Sequence, residues 1–215
     1  MLLTRPTQLK NLLQLRLPVL GAEQEWLAIN RLELLGVPTL KAVGFGKRGR
    51  NPARQLSFLL TEELSDMVSL EDYCAPWLHT PPAYAEKKAL IEQLGMTAGA
   101  LHHNGVNHRD FYLCHFLMPL AGAPIGQRPL HVIDLHRAQL RDAVPRRWLL
   151  KDLAALYFSA ADIGLSQRDV LRFLRVYTGA PLRQVLADAA FWQRVKSRAE
   201  QLYLRDEGRL PQLPL

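Results

Sequence analysis

Apolar residues recur at helical spacing along several stretches of the chain and crowd into short strand-like runs elsewhere, with glycine and proline at the joints. Leu12, Leu13, Leu15 and Leu17 predict a first helix over 8–17, which Pro18 interrupts. Trp26, Ile29 and Leu32–Leu34 predict a stronger helix over 22–35, ended by Gly36, since glycine accepts the left-handed conformation that closes many helices. Residues 39–46 read as a short strand. The basic run KRGRNPAR, 47–54, reads as a solvated hairpin loop, and Gln55–Leu60 as a buried strand. Ser69 and Asp72 suit a capping box for a short helix. Leu90, Leu94, Ala98 and Leu101 mark one face of a long helix from Ala85 to His103, where Gly95 and Gly99 would permit close packing. A strand over Leu130–Ile133, a helix over 149–161, a helix capped by Ser166 and Asp169, and a last helix from Pro181 to Leu204 complete the pattern. The fold class is α+β, with a small mixed amino-terminal portion over 1–64 and a largely helical body over 65–215.

Composition narrows the function only modestly. With 215 residues, 48% hydrophobic and 22% charged, the chain has the make-up of an ordinary globular protein. Its formal charge of +7 favours an anionic partner: nucleic acid, a phosphorylated substrate or an acidic membrane surface. No RNA-binding module, helix-turn-helix signature or aromatic stacking series accompanies the charge, so nucleic acid is not expected. No apolar stretch suits a membrane span, and MLLTRPTQLKNLL lacks the order of a signal peptide, so a cytoplasmic location is expected. Two cysteines, Cys74 and Cys114, give neither a disulfide scaffold nor a zinc motif.

The chemistry concentrates in LHHNGVNHRDFYLCH, residues 101–115, and LHVIDLH, residues 130–136. Asp110 follows His108 and Arg109 just beyond a helix end, and a strand delivers Asp134 to a loop. Two carboxylates at the edges of regular elements suit phosphoryl transfer, in which one orients the attacking hydroxyl and the other holds magnesium against nucleotide phosphates. An HRD triplet alone is a weak sign; its place after a long helix and before a strand ending in aspartate makes it informative. His102, His103, His108 and His115 do not share the spacing of a zinc site. Beyond Asp134, positive charge gathers at Arg137, Arg141, Arg146, Arg147 and Lys151. This is either ordinary surface charge or one wall of a cleft for an acidic substrate.

Taken in order, LGAEQEW (20–26), TEEL (61–64), SLEDYC (69–74), GVNHRDFYLCHF (105–116), VIDLHRAQLRDAVPRRW (132–148) and KDLAALYFS (151–159) resemble the bacterial lipopolysaccharide kinase family, over almost the whole chain. The resemblance implies a protein-kinase-like fold. It also implies transfer of the terminal phosphate of ATP, with Mg2+, to a heptose of the lipopolysaccharide inner core at the cytoplasmic face of the inner membrane. Peripheral contact with that membrane would follow from the lipid-bearing acceptor. By this resemblance Asp110 is the catalytic aspartate, with Arg109 and His108 supporting its loop, and Asp134 the magnesium ligand. Glu25 is the small-lobe glutamate that orients the ATP-contacting lysine. Glu62, Glu63 and Leu64 form the connection where backbone groups would receive adenine. His115 stands where a typical protein kinase has a second metal-binding asparagine and could bind metal, hydrogen-bond or pack. The family's strand pair, phosphate-covering loop and strand lysine would precede Glu25; Lys10 does not match that lysine, so the small lobe is expected to be truncated. The alternative is a catalytically impaired relative that binds the core or regulates an intact kinase.

Overall fold

A computed structural model describes residues 21–49 and 55–214; the helix expected over 8–17, Lys10 and the middle of the basic turn lie outside the described residues. Helix α1 (Gly21–Leu34) ends where the sequence predicts. Val37 N–H donates to Leu32 O at 2.9 Å and Gly36 N–H to Glu33 O at 3.0 Å, satisfying carbonyls that the helix leaves open. Strands β1 (Ala42–Arg48) and β2 (Leu56–Thr61) form an antiparallel hairpin against this helix, with Trp26 stacked on Phe45 at 5.2 Å. The expectation of a buried strand at 55–60 is corrected here. Leu56, Phe58 and Leu60 are exposed because the period of two turns them away from the one face that α1 covers.

The remaining elements build the helical body. Strand β3 (Met67–Ser69) runs into α2 (Leu70–Cys74), whose cap is Ser69: its hydroxyl accepts from Asp72 N–H at 3.0 Å and donates to the Asp72 carboxylate at 2.6 Å. After a tight turn (Ala75–Leu78), α3 (Tyr84–His103) crosses the body. Later come α4 (Arg146–Ser159), α5 (Gln167–Thr178), α6 (Leu182–Ala187) and α7 (Ala189–Glu207), with α5 packed along α3 and α7 along α4. The approach of α3 to α5 depends on Gly99, where a Cβ would lie 2.8 Å from the carbonyl oxygen of Tyr177.

The helix expected from Pro181 to Leu204 is two helices, broken at Asp188. The indole N–H of Trp192 donates to Val185 O at 2.8 Å, while Asp188 N–H turns tightly onto the same carbonyl at 3.3 Å. That oxygen would otherwise accept from Ala189 in a continuous helix.

Short strands stitch the loops to this body. Strand β4 (Val106–Asn107) pairs with β7 (Gln139–Leu140), and β5 (Phe116–Pro119) lies between β3 and β6 (His131–Val132), all antiparallel. The segment after α1 joins them, since Val132 N–H donates to Pro38 O at 2.9 Å and Thr39 Oγ1 to Val132 O at 2.6 Å. Beneath the loops Leu101, Phe111, Leu113, Phe116 and Leu135 are fully buried. Each such side chain contributes about 1.5–3 kcal/mol by leaving water, which fixes the floor on which the polar residues stand.

Candidate active site

The loop after β4 carries His108, Arg109 and Asp110, and its backbone is held from below. Arg109 takes a left-handed conformation, φ +76°, unusual for a side chain with a Cβ. The carboxylate of Asp152, fully buried on α4, accepts from His108 N–H at 2.7 Å and from Arg109 N–H at 3.0 Å. Two charge-assisted bonds thereby over-determine the conformation that aims Asp110. His102 of α3 reaches Asp152 Oδ2 through Nε2 at 3.4 Å, and its Nδ1 lies 2.9 Å from the hydroxyl of Tyr177 on α5. Helices α3, α4 and α5 thus meet at one buried carboxylate. Neither Asp152 nor Tyr177 belongs to a motif that marks it in the sequence. The available signal was an aspartate set between the apolar runs WLL (148–150) and LAALYF (153–158), since buried aspartate without partners is rare.

His108 ties this loop to the next. Its Nδ1 accepts from Asp110 N–H at 3.3 Å, so its Nε2–H donates to Ile133 O at 2.8 Å, one residue before Asp134. Burial depresses its pKa below the ordinary histidine value, in keeping with a neutral ring in that tautomer. Glycine is required just upstream: Gly105 has φ +78°, and a Cβ there would come 1.7 Å from Arg141 O, to whose residue the Gly105 carbonyl is itself bonded.

Asp110, His115 and Asp134 converge. His115 Nδ1 lies 2.6 Å from the carbonyl oxygen of Asp110 and its Nε2 3.3 Å from Asp134 Oδ2. A carbonyl can only accept, so Nδ1 donates to it, and Nε2 is the ring atom turned to the Asp134 carboxylate oxygen. Both atoms can serve as ligands to a cation placed between them. Asp134, itself left-handed with φ +60°, is bonded through Oδ1 to His136 Nδ1. Among the described residues no cluster of three or more such side chains is built to hold a metal, so a cation here would draw its other ligands from phosphate and water. One carboxylate and one imidazole fit a divalent ion held in that way.

The other expected residues fall in distinct places. Glu25 lies half-buried on α1, where burial raises its carboxyl pKa; neighbouring His136 opposes that shift and Asp134 adds to it. Among the described residues no lysine pairs with it, and Lys47 instead meets Glu23 at 2.8 Å. Glu62, Glu63 and Leu64 form the connection between β2 and β3, with Glu62 N–H donating to Lys41 O at 2.9 Å. The five basic residues do not form one row. Arg137 reaches Asp110 Oδ1 at 2.7 Å, and Arg146 pairs with Asp188 at 2.5 Å. Arg141 bonds Asn107 and Gln139, and Arg147 and Lys151 gather over Trp148.

Known proteins with the same sequence pattern place the site in a family. Residues 7–177 match the lipopolysaccharide kinase (Kdo/WaaP) family. Lipopolysaccharide core heptose(I) kinase WaaP of Pseudomonas aeruginosa is 53% identical over 201 residues, spanning 92% of this chain and 75% of that protein. The protein of the same name from Escherichia coli K12 is 52% identical over 181 residues, 83% of this chain and 68% of its own length. A solved structure described as WaaP in complex with acyl carrier protein superimposes with a TM-score of 0.80 at 52% identity, covering 85% of this chain and 77% of that one. Backbone likeness at such identity accounts for the mixed helix-and-strand, kinase-like architecture, and the chain belongs to the lipopolysaccharide kinase (Kdo/WaaP) family.

Proposed function

We propose that this protein transfers the terminal phosphate of ATP to a heptose of the lipopolysaccharide inner core. The observation that carries the reading is the convergence of Asp110, His115 and Asp134, in a chain about half identical to kinases named for that reaction. Asp110 is the group that positions the sugar hydroxyl and takes its proton as the oxygen attacks phosphorus. Arg137 holds one oxygen of that carboxylate, leaving the other for the acceptor. Asp134 and His115 would hold a divalent ion, which neutralises charge on the nucleotide phosphates when bound. Glu25 and the connection through Glu62, Glu63 and Leu64 face nucleotide, and the arginines around Asp110 face an anionic acceptor. Among the described residues no helix is long and apolar enough to cross a membrane, and peripheral work at the cytoplasmic face of the inner membrane suits a lipid-bearing acceptor.

The test is transfer of labelled phosphate from ATP to isolated inner core, with loss of transfer in Asp110→Asn. Tight acceptor binding without ATP binding would instead mark a kinase-like binding protein.

A partner reading rests on a separate observation. The solved relative was captured with acyl carrier protein, and the helical body here holds a partly open apolar cavity of about 110 Å³ lined by Leu70, Trp77, Leu90, Leu113 and Leu156 among others. A cavity of this chemistry suits part of an alkyl chain, so this protein binds an acylated carrier more tightly than the bare one. Calorimetry with both forms checks it; equal affinity would remove the cavity from the partner's site.

A further inference from the structure

Strand β2 turns its largest apolar side chains to solvent. Leu56, Phe58 and Leu60 alternate along it and are 54–58% exposed, whereas Leu59, paired with Phe45, packs on the core side. The register sets Gly44 opposite Leu60, Gly46 opposite Phe58 and Arg48 opposite Leu56. Residues directly opposite share a face, so β1 has no side chain to cover Phe58 or Leu60. A Cβ on Gly46 would come 2.3 Å from the Phe58 ring, which therefore lies over bare backbone. The outer face of the hairpin is thus flat and apolar, with the exposed Arg48 at its end. A contiguous apolar surface of this kind marks a place of contact with something else.

Charge selects the occupant. Residues 41–61 hold Lys41, Lys47, Arg48, Arg50 and Arg54 and no acidic residue. Lys41 is answered by Glu62 at 2.6 Å and Lys47 by Glu23 at 2.8 Å, but among the described residues no carboxylate pairs with Arg48. Arg50 and Arg54 follow in the sequence that joins the strands. A second copy laid face to face would set these basic residues against their own kind. Residues 1–20 carry Arg5, Lys10 and Arg16 without an acid, so they also bring the wrong sign. An anionic bilayer brings the right one and takes up apolar side chains as well. We propose that the outer face of the β1–β2 hairpin docks this protein on an anionic lipid bilayer, with Phe58, Leu56 and Leu60 at the boundary of headgroups and acyl chains and Arg48 on lipid phosphate. Apolar burial and attraction to acidic headgroups add in such contacts, and an arginine beside the apolar row can reach phosphate while its stem stays in contact. The surface does not depend on the kinase reading. Under that reading it brings the protein to the membrane that carries its acceptor.

The full chain is sedimented with vesicles of phosphatidylethanolamine and phosphatidylglycerol, and separately with vesicles of phosphatidylcholine alone. Wild type should bind the acidic vesicles, leave them in high salt and pass over the neutral ones. Leu56→Ser plus Phe58→Ser, and separately Arg48→Gln with Arg50→Gln and Arg54→Gln, should each weaken binding at least about tenfold at an unchanged melting temperature. Failure of wild type to bind acidic vesicles, or binding that the two serine substitutions leave intact, overturns the proposal. A wild-type dimer that those substitutions dissociate, with no vesicle binding, gives the face to a second copy and also overturns it. Phe58→Trp supplies a reading that does not rely on the serine variants folding. Its emission above that of wild type should be quenched by brominated phosphatidylglycerol, and bound protein without that quenching overturns the proposal. Transfer from ATP to isolated inner core, which needs no bilayer, should be the same in all variants. Vesicle binding in a wild type without transfer overturns the kinase reading and leaves the docking face standing; transfer without vesicle binding does the reverse.

Discussion

Arg137 and Asp110 are joined at 2.7 Å, guanidinium to carboxylate, with the aspartate side chain largely buried and the arginine about half exposed. A cation arriving from the loop after Asp134 therefore fixes the carboxylate that arrives from the loop after β4. Removing it with Arg137→Ala frees Asp110 to rotate. We expect kcat to fall about 10–100-fold with little change in ATP affinity, and Arg137→Lys to restore part of the loss. Steady-state kinetics with ATP and acceptor varied separately checks this; an unchanged kcat would show that the pair does nothing for transfer.

Asp152 is the keystone beneath the loop, and the cost of losing it should appear in stability before chemistry. Asp152→Ala leaves two buried N–H groups and His102 without their acceptor, which costs about 3–5 kcal/mol by the scale of broken buried charge partnerships. Tyr177→Phe removes only the outermost bond, to His102, and should cost about 1 kcal/mol. Urea denaturation of both variants tests the ranking; a Tyr177→Phe loss as large as that of Asp152→Ala would contradict it.

Gly105→Ala should be severe for so small a change. The added Cβ meets Arg141 O at 1.7 Å and the backbone must keep φ +78°. We expect at least about 2 kcal/mol of destabilisation, with the β4–β7 pairing disrupted. Hydrogen exchange at Arg141, whose N–H donates to Gly105 O, reports it directly; full protection in the variant would refute the expectation.

Histidine burial gives stability a pH dependence of defined sign. His108 is held neutral in the folded state, its pKa lowered from the ordinary 6.5 by burial, with the carbonyl of Ile133 and Asp152 partly offsetting that. Below pH 6.5 the unfolded chain takes up the proton and the folded one does not. The contribution of His108 is therefore intact above that pH and lost as pH falls from 6.5 towards the depressed folded value. Denaturation between pH 5 and 8, compared with His108→Gln, measures it: the variant should show a shallower decline on the acid side.

Metal preference follows from the pairing of an imidazole with a carboxylate. His115→Asn replaces a nitrogen donor with an oxygen donor, so activity supported by manganese should fall relative to magnesium. Transfer assays with each ion after chelation distinguish this from a packing role, in which both activities would change together.

Much of the architecture was legible in order along the chain. Gly36 closes α1, Ser166 and Asp169 form a full capping box, and the long helix ends at His103 as its periodicity requires, because caps and apolar stripes are local. The motifs around Asp110 and Asp134 could be read because their chemistry demands particular residue types on short loops. Strand 55–60 and the helix from Pro181 were misread for a common reason. Exposure depends on which face a neighbour covers, and the break at Asp188 depends on Trp192 reaching Val185 O.

By itself, then, the sequence determined most of the described helices, the ends at Gly36 and His103, and the two carboxylates on which the reading turns. Only the tertiary structure decided that Asp152, His102 and Tyr177 brace the loop carrying Asp110, that Arg137 belongs to Asp110, and that Arg147 and Lys151 surround Trp148 with Arg109. Apart from those of Arg147 and Lys151 with Trp148, which share α4, each of these contacts joins residues from different elements. Spacing along a chain fixes a side chain's place on its own helix or loop, whereas its partners are fixed by how those elements pack.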